Sequence, residues 1–61
     1  MRKIVVINYG KPIFIAPYNI HTQIFLRNMY GLFAKCCQIA ILEDNEIKVI
    51  LTYDEFLNSE V

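Results

Sequence analysis

Sixty-one residues, of which 56% are hydrophobic and 20% charged, suffice for one small folded domain and are too apolar for a disordered chain. The net charge of zero argues against a dedicated nucleic-acid-binding protein. The longest uncharged run, residues 12–26, contains two prolines, an asparagine and a histidine, which excludes a membrane-spanning helix.

The zero net charge is the sum of two segments of opposite sign. Residues 1–42 contain no acidic side chain and five basic ones. All six acidic side chains lie in residues 43–61, where Lys48 is the one basic residue. We therefore expect the fold either to bring the two signs together or to present them to different partners.

Two β-branched and aromatic runs, residues 4–7 and 13–15, predict the first β-hairpin. Gly10 can adopt the positive φ of a tight turn, and the prediction places a two-residue turn at Gly10 and Lys11. Pro12 and Pro17 flank the second run. Because proline cannot donate a hydrogen bond to a β-ladder, we expect this strand at an edge of the sheet.

From Ile20 to about Cys37 the apolar residues recur with the period of a helix. Apolar and small side chains fall in one arc centred on Met29, and mostly polar ones fall opposite. The pattern predicts one continuous amphipathic helix of four to five turns. Asn19 or Thr22 is its expected N-cap.

The last third of the chain predicts a second hairpin. Residues 39–42 and residues 47–51 flank an acidic turn with Asp44 and Asn45 at its tip. After them, Thr52 and Glu55 match a capping box, which predicts a short C-terminal helix.

Residues 1–61 are thus expected to form a single α+β domain with the element order ββαββ. One amphipathic helix packs on one face of a four-stranded, mostly antiparallel sheet, and a short helix ends the chain.

Both faces of this sheet are apolar, although one helix can cover only one of them. A turn at Gly10 and Lys11 places Phe14 on the same face as Val5 and Ile7. The second turn groups five apolar residues on one face: Ala40, Leu42, Ile47, Val49 and Leu51. The uncovered face reaches or exceeds the roughly 300–600 Å² apolar patch of an ordinary monomer. Three occupants remain open: C-terminal residues including Phe56, Leu57 and Val61, a second copy of the chain, or another protein.

Catalytic and metal-binding patterns are weak throughout. His21 is fifteen residues from Cys36, about 22 Å along a helix, so the two side chains cannot meet on one continuous helix. Cys36 and Cys37 are adjacent in sequence, which makes a disulfide between them strained and indicates a reducing, cytoplasmic environment. Asp54 and Glu55 fit the first turn of a helix, where negative charge is stabilising. We predict no enzyme activity, no cofactor and no metal.

The candidate interface residues form three groups. Around Gly31, a predicted stripe on the polar side of the helix combines an exposed apolar residue with polar and aromatic ones: Ile24, Arg27, Asn28, Tyr30 and Lys35. Three isoleucines are assigned to the uncovered sheet face: Ile39, Ile41 and Ile50. Three acidic residues crowd the second turn and can steer a basic partner: Glu43, Asp44 and Glu46.

These features favour a small cytoplasmic protein that acts by docking onto another protein, as a monomer or a homodimer. Six residue types with A/T-rich codons make up 29 of the 61 residues, which indicates a low-GC bacterium or its phage. The concrete expectation is a phage or mobile-element factor that inhibits or redirects a protein in the host cytoplasm. The alternatives are a small dimeric nucleic-acid-binding regulator that uses the basic helix face, and a structural subunit of a larger assembly.

Overall fold

The computed structural model describes residues 1–58, which form a four-stranded sheet and three short helices. In chain order the elements are β1 (Arg2–Asn8), β2 (Lys11–Pro17), α1 (Ile20–Asn28), α2 (Tyr30–Phe33), β3 (Cys37–Glu43), β4 (Glu46–Thr52) and α3 (Tyr53–Asn58). The strand order is β2-β1-β3-β4, and every neighbouring pair is antiparallel. The predicted α+β fold is confirmed, and β2, which contains Pro12 and Pro17, lies at an edge as expected.

The predicted continuous helix is wrong, because the chain breaks it at Met29. The α1 helix begins after Asn19, whose side chain accepts a hydrogen bond from the Thr22 amide, and it ends at Met29 with φ −90° and ψ 12°. The break has a geometric reason. The connection must run from the Pro17 end of the sheet to the Cys37 end, which is about 17 Å along β1. Eighteen helical residues would span about 27 Å and overshoot the start of β3.

The first hairpin turn lies one residue earlier than predicted, at Tyr9 and Gly10, both of which have positive φ. The second turn lies at Asp44 and Asn45 as predicted, again with positive φ at both residues. Such two-residue turns match the twist of the strands that they join.

Both hairpins contain a β-bulge that the sequence analysis missed. In β2, Ile7 pairs with Pro12 and Val6 with Phe14, so Ile13 is an extra residue. Phe14 therefore faces the helices with Val6, and its predicted place beside Val5 was wrong.

In β4 the extra residue is Lys48, because Leu42 pairs with Ile47 and Ile41 with Val49. The alternation of side chains changes at this position. Val49 and Leu51 consequently lie on the face opposite to Ile47, which corrects their predicted grouping with it.

A single core lies between the sheet and the helices. Seven buried residues form it, contributed by β1, β3, α1 and α3: Ile4, Val6, Leu26, Cys37, Ile39, Tyr53 and Phe56. Phe33 of α2 packs against the same cluster, as does Leu57 of α3. All three helices therefore lie on one side of the sheet.

The α3 helix is held by a capping box and by a buried tyrosine. The Thr52 amide donates to the Glu55 carboxylate at 3.0 Å, and the Glu55 amide donates to the Thr52 hydroxyl at 3.1 Å. The Tyr53 hydroxyl donates a hydrogen bond to the Leu26 backbone carbonyl, which joins α3 to α1. Burial is the main cause that raises the pKa of Tyr53, from its ordinary value of 10.0 to about 12.

Candidate interaction surface

The sheet face turned away from the helices is apolar and uncovered by any described part of the chain. Its position follows from the strand register, because residues directly opposite each other on neighbouring strands share a face. Val5 pairs with Ile15 on one side and Ala40 on the other, and Ala40 pairs with Ile50. We call this surface the open face and define it by eight apolar residues: Val5, Ile7, Ile13, Ile15, Ala40, Leu42, Ile47 and Ile50.

The open face is a groove. Its floor is formed by the two central strands, where Val5 is 8% exposed and Ala40 has no exposed surface. Isoleucines of the two edge strands stand higher and are about half exposed: Ile13 48%, Ile15 58%, Ile47 58% and Ile50 51%. The groove has a volume of about 850 Å³. Seven of the eight open-face residues line it, and Ile50 does not. A groove of this size with an apolar floor and walls is suited to a protein surface.

Charge is nearly absent from the open face. Among the strand positions of residues 1–58 that share this face by register, Lys3 is the one charged residue, and it lies at the end of the face beside Ile15 and Pro17. The bulged Lys48 lies at the margin, with its amine 3.6 Å from the Glu46 carboxylate. Depletion of charge at the centre with polar groups at the rim is the pattern of protein interfaces.

Of the three isoleucines predicted on the uncovered face, the structure places one there. Ile50 is on the open face. Ile39 is fully buried in the core, and Ile41 packs against that core from the helix side, so their assignment to the uncovered face was wrong. Alternation places Ile50 on the opposite face to Val49 and Leu51, and the extra residue at Lys48 explains why Ile50 shares the open face with Ile47.

Of the three occupants left open by the sequence, the C-terminal residues that the structure describes do not cover the open face. Phe56 is buried in the core beneath the helices, and Leu57 packs against that core. Val61, the third residue in that prediction, lies outside the described residues.

The stripe predicted on the helix is divided between separate elements. Ile24 is 51% exposed on α1, where Arg27 and Asn28 are exposed too, but the break at Met29 separates them from Tyr30 and Lys35. The Tyr30 hydroxyl donates to the Asp54 carboxylate at 2.8 Å. This hydrogen bond and the charge of Asp54 raise the pKa of Tyr30. The five residues therefore do not form one continuous helical stripe.

The five acidic residues in the described part of the chain are divided between the two ends of β4, with Asp54 and Glu55 at the end where α3 begins. Glu43, Asp44 and Glu46 lie together at the β3–β4 turn, as predicted from their spacing. Positive groups adjoin them: the Met1 amine is 3.3 Å from the Asp44 carboxylate, and Arg2 is the register partner of Glu43. The two signs of charge therefore meet at this end of the sheet, which reduces the field that the acidic turn can project.

A second, smaller cleft of about 440 Å³ contains both cysteines, together with Lys35, Tyr53 and Asp54. The two sulfur atoms are 3.8 Å apart, and both thiols are free. Burial, followed by the hydrogen bond with Cys36, raises the pKa of Cys37. A thiol with a raised pKa is a poor nucleophile and metal ligand at neutral pH.

The described residues contain no cluster of three histidine, cysteine or acidic side chains that could hold a metal ion. None of the helices in the described chain is long and apolar enough to cross a membrane. No protein-family model matches the sequence, and no curated protein or solved structure matches it significantly.

Proposed function

We propose that this chain is a small, non-catalytic protein-interaction factor of the cytoplasm that acts by docking onto another protein through the open face. One observation carries the proposal: the middle of one sheet face is apolar, with Lys3 at one end and Gln38 and Thr52 at the other, while all three helices pack on the opposite face. The four half-exposed isoleucines of the edge strands leave apolar surface in contact with water, which does not stabilise a monomer. Removing this surface from water favours association with another molecule. The host-directed form of the proposal, a phage or mobile-element factor that inhibits or redirects its target, comes from the amino-acid composition, which is rich in residues that have A/T-rich codons.

The chemistry of the other clefts supports a binding role over a catalytic one. A catalytic site needs a nucleophile or an acid–base pair with a pKa suited to neutral pH. The three raised pKa values, of Tyr30, Cys37 and Tyr53, all favour the neutral, protonated form. They are consistent with structural hydrogen bonds and burial.

The test uses three isoleucines that have nearly the same exposure and lie on opposite sides of the molecule. Immobilised wild-type chain is used to capture proteins from a low-GC bacterial lysate, in parallel with Ile15→Asp, Ile47→Asp and Ile24→Asp. Ile15 and Ile47 are on the open face, whereas Ile24 on α1 is the matched control. Circular dichroism checks that each variant is folded.

We expect proteins held by the wild-type chain to be lost from the two open-face variants and retained by Ile24→Asp. If folded open-face variants capture the same proteins as the wild type, docking through this face is refuted.

A second experiment tests the role of the acidic turn. Steering by charge acts mainly on the association rate, so Glu43→Lys combined with Glu46→Lys should slow association with a captured partner and change its dissociation less. The rates are measured by biolayer interferometry at low and high salt. An unchanged association rate at low salt would remove the acidic turn from the proposal.

A further inference from the structure

We propose that a second copy of this chain occupies the open face when no other partner does, so that the docking surface is masked in a weak homodimer. The inference rests on the proposed function, because it assigns two competing occupants to the same surface. It follows from the area of the face, its composition and its symmetry.

The area of the open face suffices for a dimer that forms reversibly. Each strand has seven residues, so the sheet is about 23 Å long and its four strands make it about 19 Å wide. Treated as flat, two such faces have a combined area of about 900 Å². Because side chains protrude from each sheet, the accessible surface area that contact buries is larger. Specific interfaces begin near 1,200 Å² in total, whereas crystal contacts mostly bury less than about 800 Å². The flat estimate of about 900 Å² lies between these two limits, which fits an association that is weak and exchanges fast.

The composition of the open face suits contact with itself. A face that carries several acidic and basic groups needs a partner with the opposite pattern, whereas an uncharged apolar face is complementary to its own copy. The non-apolar strand residues that share this face by register lie at its two ends, Lys3 at one and Gln38 and Thr52 at the other, and the residues between them are apolar. Four of them are half-exposed isoleucines, and a second copy would remove these from water.

The position of Lys3 is compatible with two-fold symmetry. Lys3 lies at one end of β1, next to Pro17 and Leu42 by register. When the two-fold axis lies between the sheets and runs across the strands, the two copies of Lys3 lie at opposite ends of the interface. With the axis at the level of Val5, the like charges are then about 13 Å apart along the strands, and the half-exposed isoleucines of the edge strands are the side chains that meet.

The described residues of the chain supply no competing cover, because α3 packs its two largest apolar side chains, Tyr53 and Phe56, into the core on the other side. A different protein that docks on the same surface, as the proposed function requires, must displace the second copy. Docking by this chain should therefore weaken as its own concentration rises above the dissociation constant of the dimer.

Sedimentation velocity tests the inference with the full chain from about 1 to about 100 µM, a range that covers weak, reversible association. We expect a reversible monomer–dimer equilibrium for the wild type and for Ile24→Asp. Folded Ile15→Asp and Ile47→Asp should sediment as monomers over the same range. A wild-type chain that stays monomeric throughout would overturn the inference, as would a dimer that persists in both open-face variants.

A charge-swap experiment distinguishes variants that lose the dimer because the interface is changed from variants that lose it because they unfold. One chain carries Ile15→Glu with Ile50→Glu, and the other carries Ile15→Lys with Ile50→Lys; both positions are level with Val5 at the middle of the strands, where the two copies face each other. Each should be monomeric alone and folded by circular dichroism, and an equimolar mixture should associate, because opposite charges then face each other. A mixture of the two folded variants that remains monomeric contradicts contact between open faces.

The outcomes separate this inference from the proposed function. If the wild type is monomeric while open-face variants still lose their captured proteins, the homodimer is wrong and the docking function stands. If the dimer forms through the open face while every variant captures the same proteins, the homodimer stands and the docking function is wrong.

Discussion

Replacing Tyr53 by phenylalanine removes the hydroxyl that joins α3 to α1 and leaves the ring in place. In the wild type this hydroxyl donates to the Leu26 backbone carbonyl inside the core, where Tyr53 is 1% exposed. Tyr53→Phe therefore leaves a buried carbonyl without this donor. Tyr30→Phe is a matched control, because it makes the same chemical change at a hydroxyl that bonds to the exposed Asp54.

The expected cost of Tyr53→Phe follows from burial. Leaving a buried acceptor unsatisfied costs about 1–3 kcal/mol of unfolding free energy. A chain of this length has only about 3–9 kcal/mol in total. For so small a domain, each kcal/mol lowers the melting temperature by about 4–8 °C, so we expect Tyr53→Phe to melt about 4–24 °C below the wild type. Tyr30→Phe should have a much smaller effect, because water can replace its partner.

Thermal and urea unfolding followed by circular dichroism measure both variants. All proteins are compared at one low micromolar concentration, because dimerisation would make the melting temperature depend on concentration. The urea m-value should be unchanged if the same surface is exposed on unfolding. A loss for Tyr30→Phe that equals or exceeds that for Tyr53→Phe would refute the assignment of the Tyr53 hydroxyl to a buried, stabilising hydrogen bond.

Three further predictions concern pH, the thiols and nucleic acid. The pKa of Tyr53 is raised from 10.0 to about 12 in the folded chain, so the stabilising contribution of the neutral hydroxyl is complete below about pH 10 and is lost as the pH rises to 12. The difference in unfolding free energy between the wild type and Tyr53→Phe should therefore shrink between about pH 10 and about pH 12. A difference that stays constant over this interval would contradict the prediction. Cys37→Ser should destabilise the fold more than Cys36→Ser, because Cys37 is buried and Cys36 is only partly buried. Chelators should change neither folding nor binding. Stoichiometric metal in the purified protein would contradict a structural role for the thiols. Fluorescence titration with duplex DNA should show no binding at physiological salt, because Arg2 and Lys3 lie at one end of the sheet and Lys11 at the other; a micromolar, salt-sensitive isotherm would instead favour the nucleic-acid-binding alternative.

The candidate surface could be anticipated from the sequence only in part. The excess of apolar residues on both faces of the strands correctly indicated that one face would lack cover. The membership of that face was harder to predict, since one extra residue at Ile13 and one at Lys48 reverse the side-chain alternation beyond them. Ile39 and Ile50 were therefore assigned to the same face, although they lie on opposite faces of the sheet.

No local signal in the sequence marked these bulges. Ile13 lies within a β-branched run, and Lys48 is an ordinary residue of an exposed strand. A bulge forms where the pairing of two strands and the packing of their faces favour a shift, and both depend on the neighbouring strands.

The features that the sequence determined by itself are those that depend on neighbours in the chain. The Asn19 cap requires an acceptor three residues before the Thr22 amide, the capping box requires Thr52 and Glu55 at a fixed spacing, and proline placed β2 at an edge. These choices are settled by backbone geometry and local hydrogen bonds.

Only the tertiary structure decided where the helical connection breaks and on which side α3 packs. The break at Met29 fits the connection to the distance between the end of β2 and the start of β3. The side on which α3 packs depends on Phe56 and Tyr53 reaching the core that α1 and the central strands form together. Both depend on residues far apart in the chain, because burial of apolar surface is a property of the assembled layers and not of any one segment.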